Sequence, residues 1–280
     1  MKILLGLPDV SHKRVLFVGE RIKDVYHYGK LIGRPPKEPI ICIERTGMEV
    51  FEGGVASASE HARSFVGSVE IFSNREIVKE RYVDSNRYRK LFEVYSGMAV
   101  SEERLPPLEQ YDAVIITDYG HGMMTPAMIR DIRSHSKFMA VNVQTNSGNY
   151  GFNLATKYDD VDYLCVSEME ARLSTQNRDG DISVSLLELA KIARTVVVTL
   201  GRNGATGRSS EGVFSSAAVS TKVVDTMGAG DAFFAVTACL AKELPLKQLL
   251  DIGNAAGALK VESVGQKPIT KDELLSHLNR

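Results

Sequence analysis

Six short runs of apolar, largely β-branched residues recur along this chain: Val15–Val18, Val69–Phe72, Ala113–Thr117, Ala140–Val143, Tyr163–Val166 and Val196–Leu200. Between and after them lie stretches of helical periodicity, near 55–65, 125–135, 169–174, 185–193, 230–243, 246–261 and 271–279. A run that is apolar throughout has no polar face to give to water, so each of the six predicts a strand covered on both sides. Such strands separated by helices predict an α/β fold: a doubly wound, mostly parallel sheet with helices on both faces and ligands at the carboxyl ends of the strands.

Two stretches break the alternation. Residues 24–50, with Pro35-Pro36 and then Ile40–Ile43, and residues 78–96, with Tyr88-Arg89-Lys90-Leu91-Phe92-Glu93-Val94-Tyr95, predict strands with no helix between them. They read as a small β-sheet beside the main body, either a lid over a cleft and a surface for a second subunit, or a plain structural flap. No repeat, low-complexity tract or long linker intervenes, so residues 1–280 are expected to form a single domain carrying these two lid segments. Lys plus Arg (34) and Asp plus Glu (35) nearly cancel, which leaves no global field for nucleic acid or an anionic membrane. Cys42, Cys165 and Cys239 lie far apart in apolar segments, which argues for reduced core thiols rather than a disulfide framework or a zinc site. Met1–Leu7 is too short for the apolar region of a signal peptide and no later run reaches membrane-spanning length, so a cytoplasmic protein is expected.

Asp225-Thr226-Met227-Gly228-Ala229-Gly230-Asp231 runs straight into Ala232-Phe233-Phe234-Ala235-Val236. A glycine-broken turn thus delivers a carboxylate to the first turn of an apolar helix. There the backbone N–H groups of Gly228, Ala229, Gly230 and Asp231 lack intrahelical acceptors, and with the helix dipole they make a site for an anion. A carboxylate among such donors has a use if Asp231 takes a proton from an attacking hydroxyl while the N–H groups hold the charge on a transferred phosphoryl group. In isolation, Gly-x-Gly-Asp reads first as an ordinary N-terminal Asp stabilising a helix. Thr199-Leu200-Gly201-Arg202-Asn203-Gly204 leaves the strand Val196–Val198 by a glycine-rich turn, a position where nucleotides commonly bind, although a lone Gly-x-x-Gly is more often only a turn. No Gly-x-Gly-x-x-Gly opens a helix after the first strand, which argues against dinucleotide chemistry.

The Asp225–Asp231 motif resembles the C-terminal signature of the ribokinase-like, or PfkB, carbohydrate kinases. The resemblance implies that Asp231 is the catalytic base and that Gly228, Ala229 and Gly230 supply an anion hole. It also implies that Thr199, Gly201 and Gly204 line an ATP site, with Asn254 and Gly257 on its adenine side. Asp24 resembles the sugar-binding Asp of the family, and Gly53-Gly54-Val55-Ala56-Ser57 its Gly-Gly-x-x-Asn stretch, with Ser57 in place of Asn. Ser167-Glu168-Met169-Glu170 occupies the place of an Asn-x-x-Glu motif whose Glu helps organise Mg2+, which assigns that role to Glu170. Asn142 and Gln144 fall where relatives tend to show Asp and Lys. A monovalent cation such as K+ near Asp225, and pairing of two subunits through the lid, are further implications.

Asp24–Gly29, Tyr88–Glu93 and Thr117-Asp118-Tyr119-Gly120-His121-Gly122 look like the kinase half of bifunctional heptose kinase/ADP-heptose synthases, with His121 replacing a Lys by a group that titrates near neutrality. That likeness adds Asp118 and Arg89 to the acceptor site. No His-x-Gly-His follows, so a kinase without a nucleotidyltransferase domain is expected. Arg81, Arg87, Arg89 and Lys90 either meet a phosphorylated acceptor or protect a solvated edge strand. The resulting expectation is an ATP-dependent sugar or sugar-phosphate kinase. Its alternatives are a non-catalytic sugar- or nucleotide-binding relative, suggested by Ser57, Gln144 and Ser167, and a nucleoside kinase of the same fold.

Overall fold

The computed structural model describes residues 6–87, 89–101, 103–219, 223–263 and 267–279; Met1–Leu5 and Tyr88, named above, lie outside the described residues. The main sheet holds β1 (Arg14–Gly19), β4 (Ser68–Phe72), β7 (Ala113–Asp118), β8 (Met139–Val143), β9 (Val161–Ser167), β10 (Ala193–Thr199), β11 (Ala205–Ser209) and β12 (Gly212–Ser216). Their order is β12-β11-β10-β9-β8-β7-β1-β4. Pairing from β4 to β10 is parallel throughout, and the β11–β12 hairpin adds an antiparallel edge. The second sheet, of order β3-β2-β5-β6, is built from β2 (Arg21–Gly33), β3 (Cys42–Gly54), β5 (Arg75–Asp84) and β6 (Arg89–Val100). The helices are α1 (Val55–Glu60), α2 (Pro126–His135), α3 (Glu168–Thr175), α4 (Ile182–Leu189), α5 (Ala229–Leu240), α6 (Leu246–Val261) and α7 (Lys271–Leu278).

The two-sided apolar runs do what their composition demands. Val15 and Phe17, Ala113 and Ile115, Tyr163 and Cys165 point to one face, where they meet Phe234, Leu240 and Leu250 of α5 and α6. Leu16 and Val18, Val114 and Ile116, Leu164 and Val166 point to the other, where they meet Ile129, Ile132 and Leu186 of α2 and α4. Fully burying a side chain such as Phe17 or Phe234 contributes about 1.5–3 kcal/mol. One polar pair enters the first core fully matched: the Tyr163 hydroxyl donates to Thr237 Oγ1 at 2.8 Å, and Thr237 Oγ1 donates to Phe233 O at 2.7 Å.

Several boundaries differ from expectation. The helix expected over 55–65 closes at Glu60, and the chain continues in turns such as Phe65 N–H to Ala62 O at 2.9 Å. The helix expected over 185–193 begins earlier, because the Asp181 side chain caps it through Ser183 N–H at 2.8 Å, and it ends at Leu189 to free Ala193 for β10. The β11–β12 hairpin, rich in Gly and Ser, carries no long apolar run and was not anticipated. Cys165 and Cys239 are buried and free, whereas Cys42 sits half-buried at the start of β3, in the lid rather than the core.

The second sheet is joined to the first at Glu20. One residue separates β1 from β2, and β3 ends at Gly54, whose φ of 63° and ψ of −139° is a backbone region almost reserved for glycine. A β-carbon there would stand 2.3 Å from Glu20 O, the atom that accepts from Val55 N–H at 3.0 Å. Gly54→Ala is therefore expected to lower the unfolding free energy by about 1–3 kcal/mol, read by urea denaturation.

Candidate active site

Gly228 is the N-cap of α5, with φ 76° and ψ 3°, and no side chain caps the helix. This left-handed turn is open to glycine at no steric cost, and it leaves the first-turn N–H groups facing outward. Ala229 N–H makes a long contact of 3.4 Å to Thr226 O, so it is less open than the sequence implied. Asp231 follows in that first turn, half-buried. Its Oδ1 accepts from Gln144 Nε2 at 2.5 Å and from the Tyr119 hydroxyl at 3.4 Å. Burial, with the negative charge of Glu170 added, pushes its carboxyl up to about 6, against the two hydrogen bonds and the positive charge of Lys260. A carboxylate poised there exchanges protons near neutral pH. The Tyr119 phenol is held well above its ordinary value, first by burial and then by Asp231, and stays a donor.

The loop carrying Tyr119 is fixed from below. The fully buried Glu20 carboxylate accepts from the N–H groups of Tyr119 (3.1 Å), His121 (3.0 Å) and Met123 (3.3 Å). Asn146 and Asn149 amides donate to Tyr119 O at 2.6 and 2.8 Å.

Three cavities meet around the turn that opens α5. The first, about 450 Å³, lies between the second sheet and the main body and is lined by Asp24, Gly53, Gly54, Ser57, Gln144, Gly228 and Asp231. Alternation along the strands also brings Tyr26 and Tyr28 of β2, Glu49 and Phe51 of β3, Lys79 and Arg81 of β5, Lys90 and, from α6, Lys260 to its wall. Asp24 is ion-paired with Arg81, which also donates to Glu93 at 2.9 Å. The second cavity, about 570 Å³, is lined by Thr199, Gly201, Gly204, Asn254 and Gly257 with the apolar side chains of Val219, Val223, Phe233 and Val261. Asn254 shapes this wall rather than offering its amide, since Nδ2 donates to Ser216 O and Ala217 O at 3.0 and 3.1 Å. The third, about 180 Å³, joins them: it shares Thr199 and Gly230 with the second and Gln144, Gly228 and Asp231 with the first.

Glu170 lines that junction. Its Oε2 accepts from Ser167 N–H at 2.7 Å, and Ser167 Oγ accepts from Glu170 N–H, a reciprocal cap of α3; Oε1 accepts from Thr145 N–H at 2.9 Å. Ser167, where Asn was the expected residue, thus has a local task. No group of three or more His, Cys, Asp or Glu that would cage a metal occurs among the described residues.

Three expectations are corrected. Asp118 is fully buried and does not line the first cavity. Its carboxylate accepts from Gly120 N–H (3.0 Å), Asn153 Nδ2 (3.3 Å) and the Tyr158 hydroxyl (2.7 Å) and pairs with Lys157 at 2.5 Å, so it braces the Tyr119 loop. Arg89 is exposed on the strand neighbour of Lys90, and because adjacent strand residues face opposite ways it is Lys90 that reaches the cavity. His121 does not titrate near neutrality: burial, with Lys79 and Arg75 nearby, pushes it down to about 4, so it is neutral. Tyr119, Lys79 and Lys260 were not picked from the sequence. The marks available were the alternation of Lys79 with Arg81 on one strand and the single charge of Lys260 in an apolar helical run.

The sequence pattern of the pfkB family of carbohydrate kinases matches residues 81–272, more than half of the chain, and the chain belongs to that family. It is a carbohydrate kinase. The bifunctional protein HldE of Campylobacter jejuni is 27% identical over 175 residues, covering 60% of this chain and 37% of its own length. The chain therefore spans little more than a third of that relative. Among solved structures, Arabidopsis thaliana ribokinase in complex with ribose and ATP superposes with a TM-score of 0.73 at 17% identity, covering 96% of this chain and 99% of its own. Phosphofructokinase-2 from Escherichia coli in complex with potassium does so with a TM-score of 0.75 at 16% identity, covering 96% and 100%. The fold is ribokinase-like.

Replacing Gln144 by Leu removes a donor to the Asp231 carboxylate. The side-chain carboxyl resonance of Asp231, followed by NMR, is expected to titrate about one unit higher than in the parent protein.

Proposed function

We propose that this protein transfers the γ-phosphoryl group of ATP to a hydroxyl of a sugar or sugar phosphate, with Asp231 as the base. The observation that carries this reading is the junction: a carboxylate held near 6 and an uncapped helix N-terminus stand where a nucleotide-sized cavity opens into a polar one. In this reading ATP lies along Thr199, Gly201 and Gly204 with its base near Asn254 and Gly257, and its terminal phosphate faces Gly228–Gly230. The acceptor sits under the second sheet on Asp24, Gly53, Gly54 and Ser57. Asp231 takes the proton of the acceptor hydroxyl as that oxygen attacks phosphorus and the bond to ADP breaks. The first-turn N–H groups and the α5 dipole hold the charge spread over the transferring group. Glu170 is the residue that would meet a magnesium ion on the nucleotide, through water, and the ion would neutralise phosphate charge there. The wall over the acceptor excludes water, the competing nucleophile.

Lys79 and Lys90 bring positive charge to the acceptor cavity beyond the Asp24–Arg81 pair, with Glu49 the remaining acid on the second-sheet wall, which supports an acceptor that already bears phosphate, such as a heptose phosphate. The far side of the second sheet supports pairing with a second copy through the lid. His27, Tyr82 and Phe92 stack there at ring spacings of 4.6 and 4.5 Å, and Met48, Val50 and Val94 are exposed. Sedimentation showing a monomer at micromolar concentration would remove that pairing.

ADP release with Mg-ATP, measured across sugars and sugar phosphates including heptose 7-phosphate, is expected to be acceptor-dependent and abolished in Asp231→Asn, with nucleotide binding retained. Full activity of that variant, or nucleotide binding without turnover on any acceptor, counts against the reading. Because the base works ionised and its folded value is raised to about 6, kcat/KM is expected to be level above pH 7. Below pH 6 it should fall about tenfold per unit.

A further inference from the structure

Lys260 is the single charged residue in the run Ala255–Val261 of α6, and it is only 2% exposed. Its Cε and Nζ lie 3.2 and 3.9 Å from where a β-carbon on Gly228 would stand, so the side chain packs against the turn that opens α5. That turn is tied to the same stretch of helix, because Val224 and Asp225 N–H groups both donate to Val261 O, at 2.7 and 3.1 Å. The lysine shares a cavity wall with Asp225, Gly228 and Asp231.

A lysine buried to this degree is costly unless opposite charge accompanies it. Burial pushes the Lys260 ammonium below its ordinary value, and the charges of Asp225 and Asp231 oppose that by favouring the charged form. His61, at the C-terminal end of α1, lies within electrostatic reach of the lysine and accepts from Ile269 N–H at 3.1 Å through Nδ1. Burial and then the charge of Lys260 push that imidazole down to about 4, so it remains neutral and adds no competing cation. The ammonium is thus packed against the helix N-terminus that the proposed transfer uses, on the wall it shares with the base.

We propose, resting on the kinase reading above, that the Lys260 ammonium is the built-in counter-cation of the transfer site, balancing Asp225, Asp231 and the transferring phosphoryl group so that turnover needs no added monovalent cation. The family resemblance implies a monovalent cation near Asp225. With an ammonium already facing Asp225 and Asp231, a second cation on the same turn is repelled, so the residues present do not fit the ion. Lys260 acts on the charge balance around Asp231 and Gly228 and is a positioning residue.

The test compares turnover of the parent protein in potassium, sodium and tetramethylammonium buffers of equal ionic strength, then in Lys260→Met and Lys260→Arg. Parent rates are expected to agree within about twofold. Lys260→Met keeps much of the length of the side chain and removes its charge. It is expected to lose about tenfold to hundredfold in kcat with little change in acceptor KM, and to recover part of the loss with potassium or ammonium. Lys260→Arg keeps the charge and retains most of kcat. Parent turnover that rises tenfold or more with potassium overturns the proposal, as does parental kcat in Lys260→Met. Should the Met variant fail to fold, as judged by its melting curve, the cation series on the parent protein still decides. No acceptor-dependent turnover in the parent removes the kinase reading, and this inference with it; turnover that survives the Met change removes this inference alone.

Discussion

Glu20 is the point on which the arrangement turns. Its backbone lies between the last residue of β1 and the first of β2, its carbonyl anchors the start of α1, and its carboxylate holds the loop after β7 through three backbone N–H groups. A buried carboxylate alone would be expensive, and burial together with Asp118 does push its carboxyl upward. The three N–H donors offset that cost, and the chain must keep all of them in place to do so. One residue, through its backbone and its side chain, therefore makes the main sheet, the second sheet and the loop bearing Tyr119 settle together, and Tyr119 is a direct partner of Asp231.

The Asp231 carboxyl is tuned by opposed effects, of which burial is the largest. Burial and Glu170 raise its carboxyl, while Gln144, Tyr119 and Lys260 lower it, and the balance falls close to neutral pH rather than at the ordinary carboxylate range. Neutral partners do much of this. Gln144 donates without bringing a charge, so the positive charge acting on Asp231 comes from Lys260 of α6 rather than from the end of β8.

The sheet was legible because strands covered on both faces have to be apolar at every position, and runs such as Val114–Ile116 leave no other reading. The glycine turn before Asp231 was legible because few residue types tolerate that backbone. Membership in the site was harder to read. Asp118 and Arg89 sit in segments that resemble a known acceptor site, yet one is consumed by buried hydrogen bonds and the other lies one residue out of phase with the cavity. Lys79 and Lys260 enter through strand phase and helix packing, which depend on partners distant in the sequence, Asp24 across the sheet from Lys79 and Gly228 beside Lys260. The β11–β12 hairpin leaves little trace in the sequence because it lies at the margin of the sheet, with β12 its edge, and its Gly and Ser residues carry little pattern.

The second sheet stores two unrelated surfaces in one stretch of sequence. On β2, Asp24, Tyr26 and Tyr28 face the cavity while His27 joins the outer aromatic stack; on β3, Glu49 and Phe51 face in while Met48 and Val50 face out. Each surface can drift by single replacements without disturbing the other. A one-residue insertion or deletion inside these strands, by contrast, would exchange the two sets at a stroke, delivering Asp24 to the outside and His27 to the cavity. Descendants of this chain are thus free to reshape the cavity wall by point replacement, but length changes in these strands must gather in the 34–41 connection or at the strand ends, where the phase is not at stake.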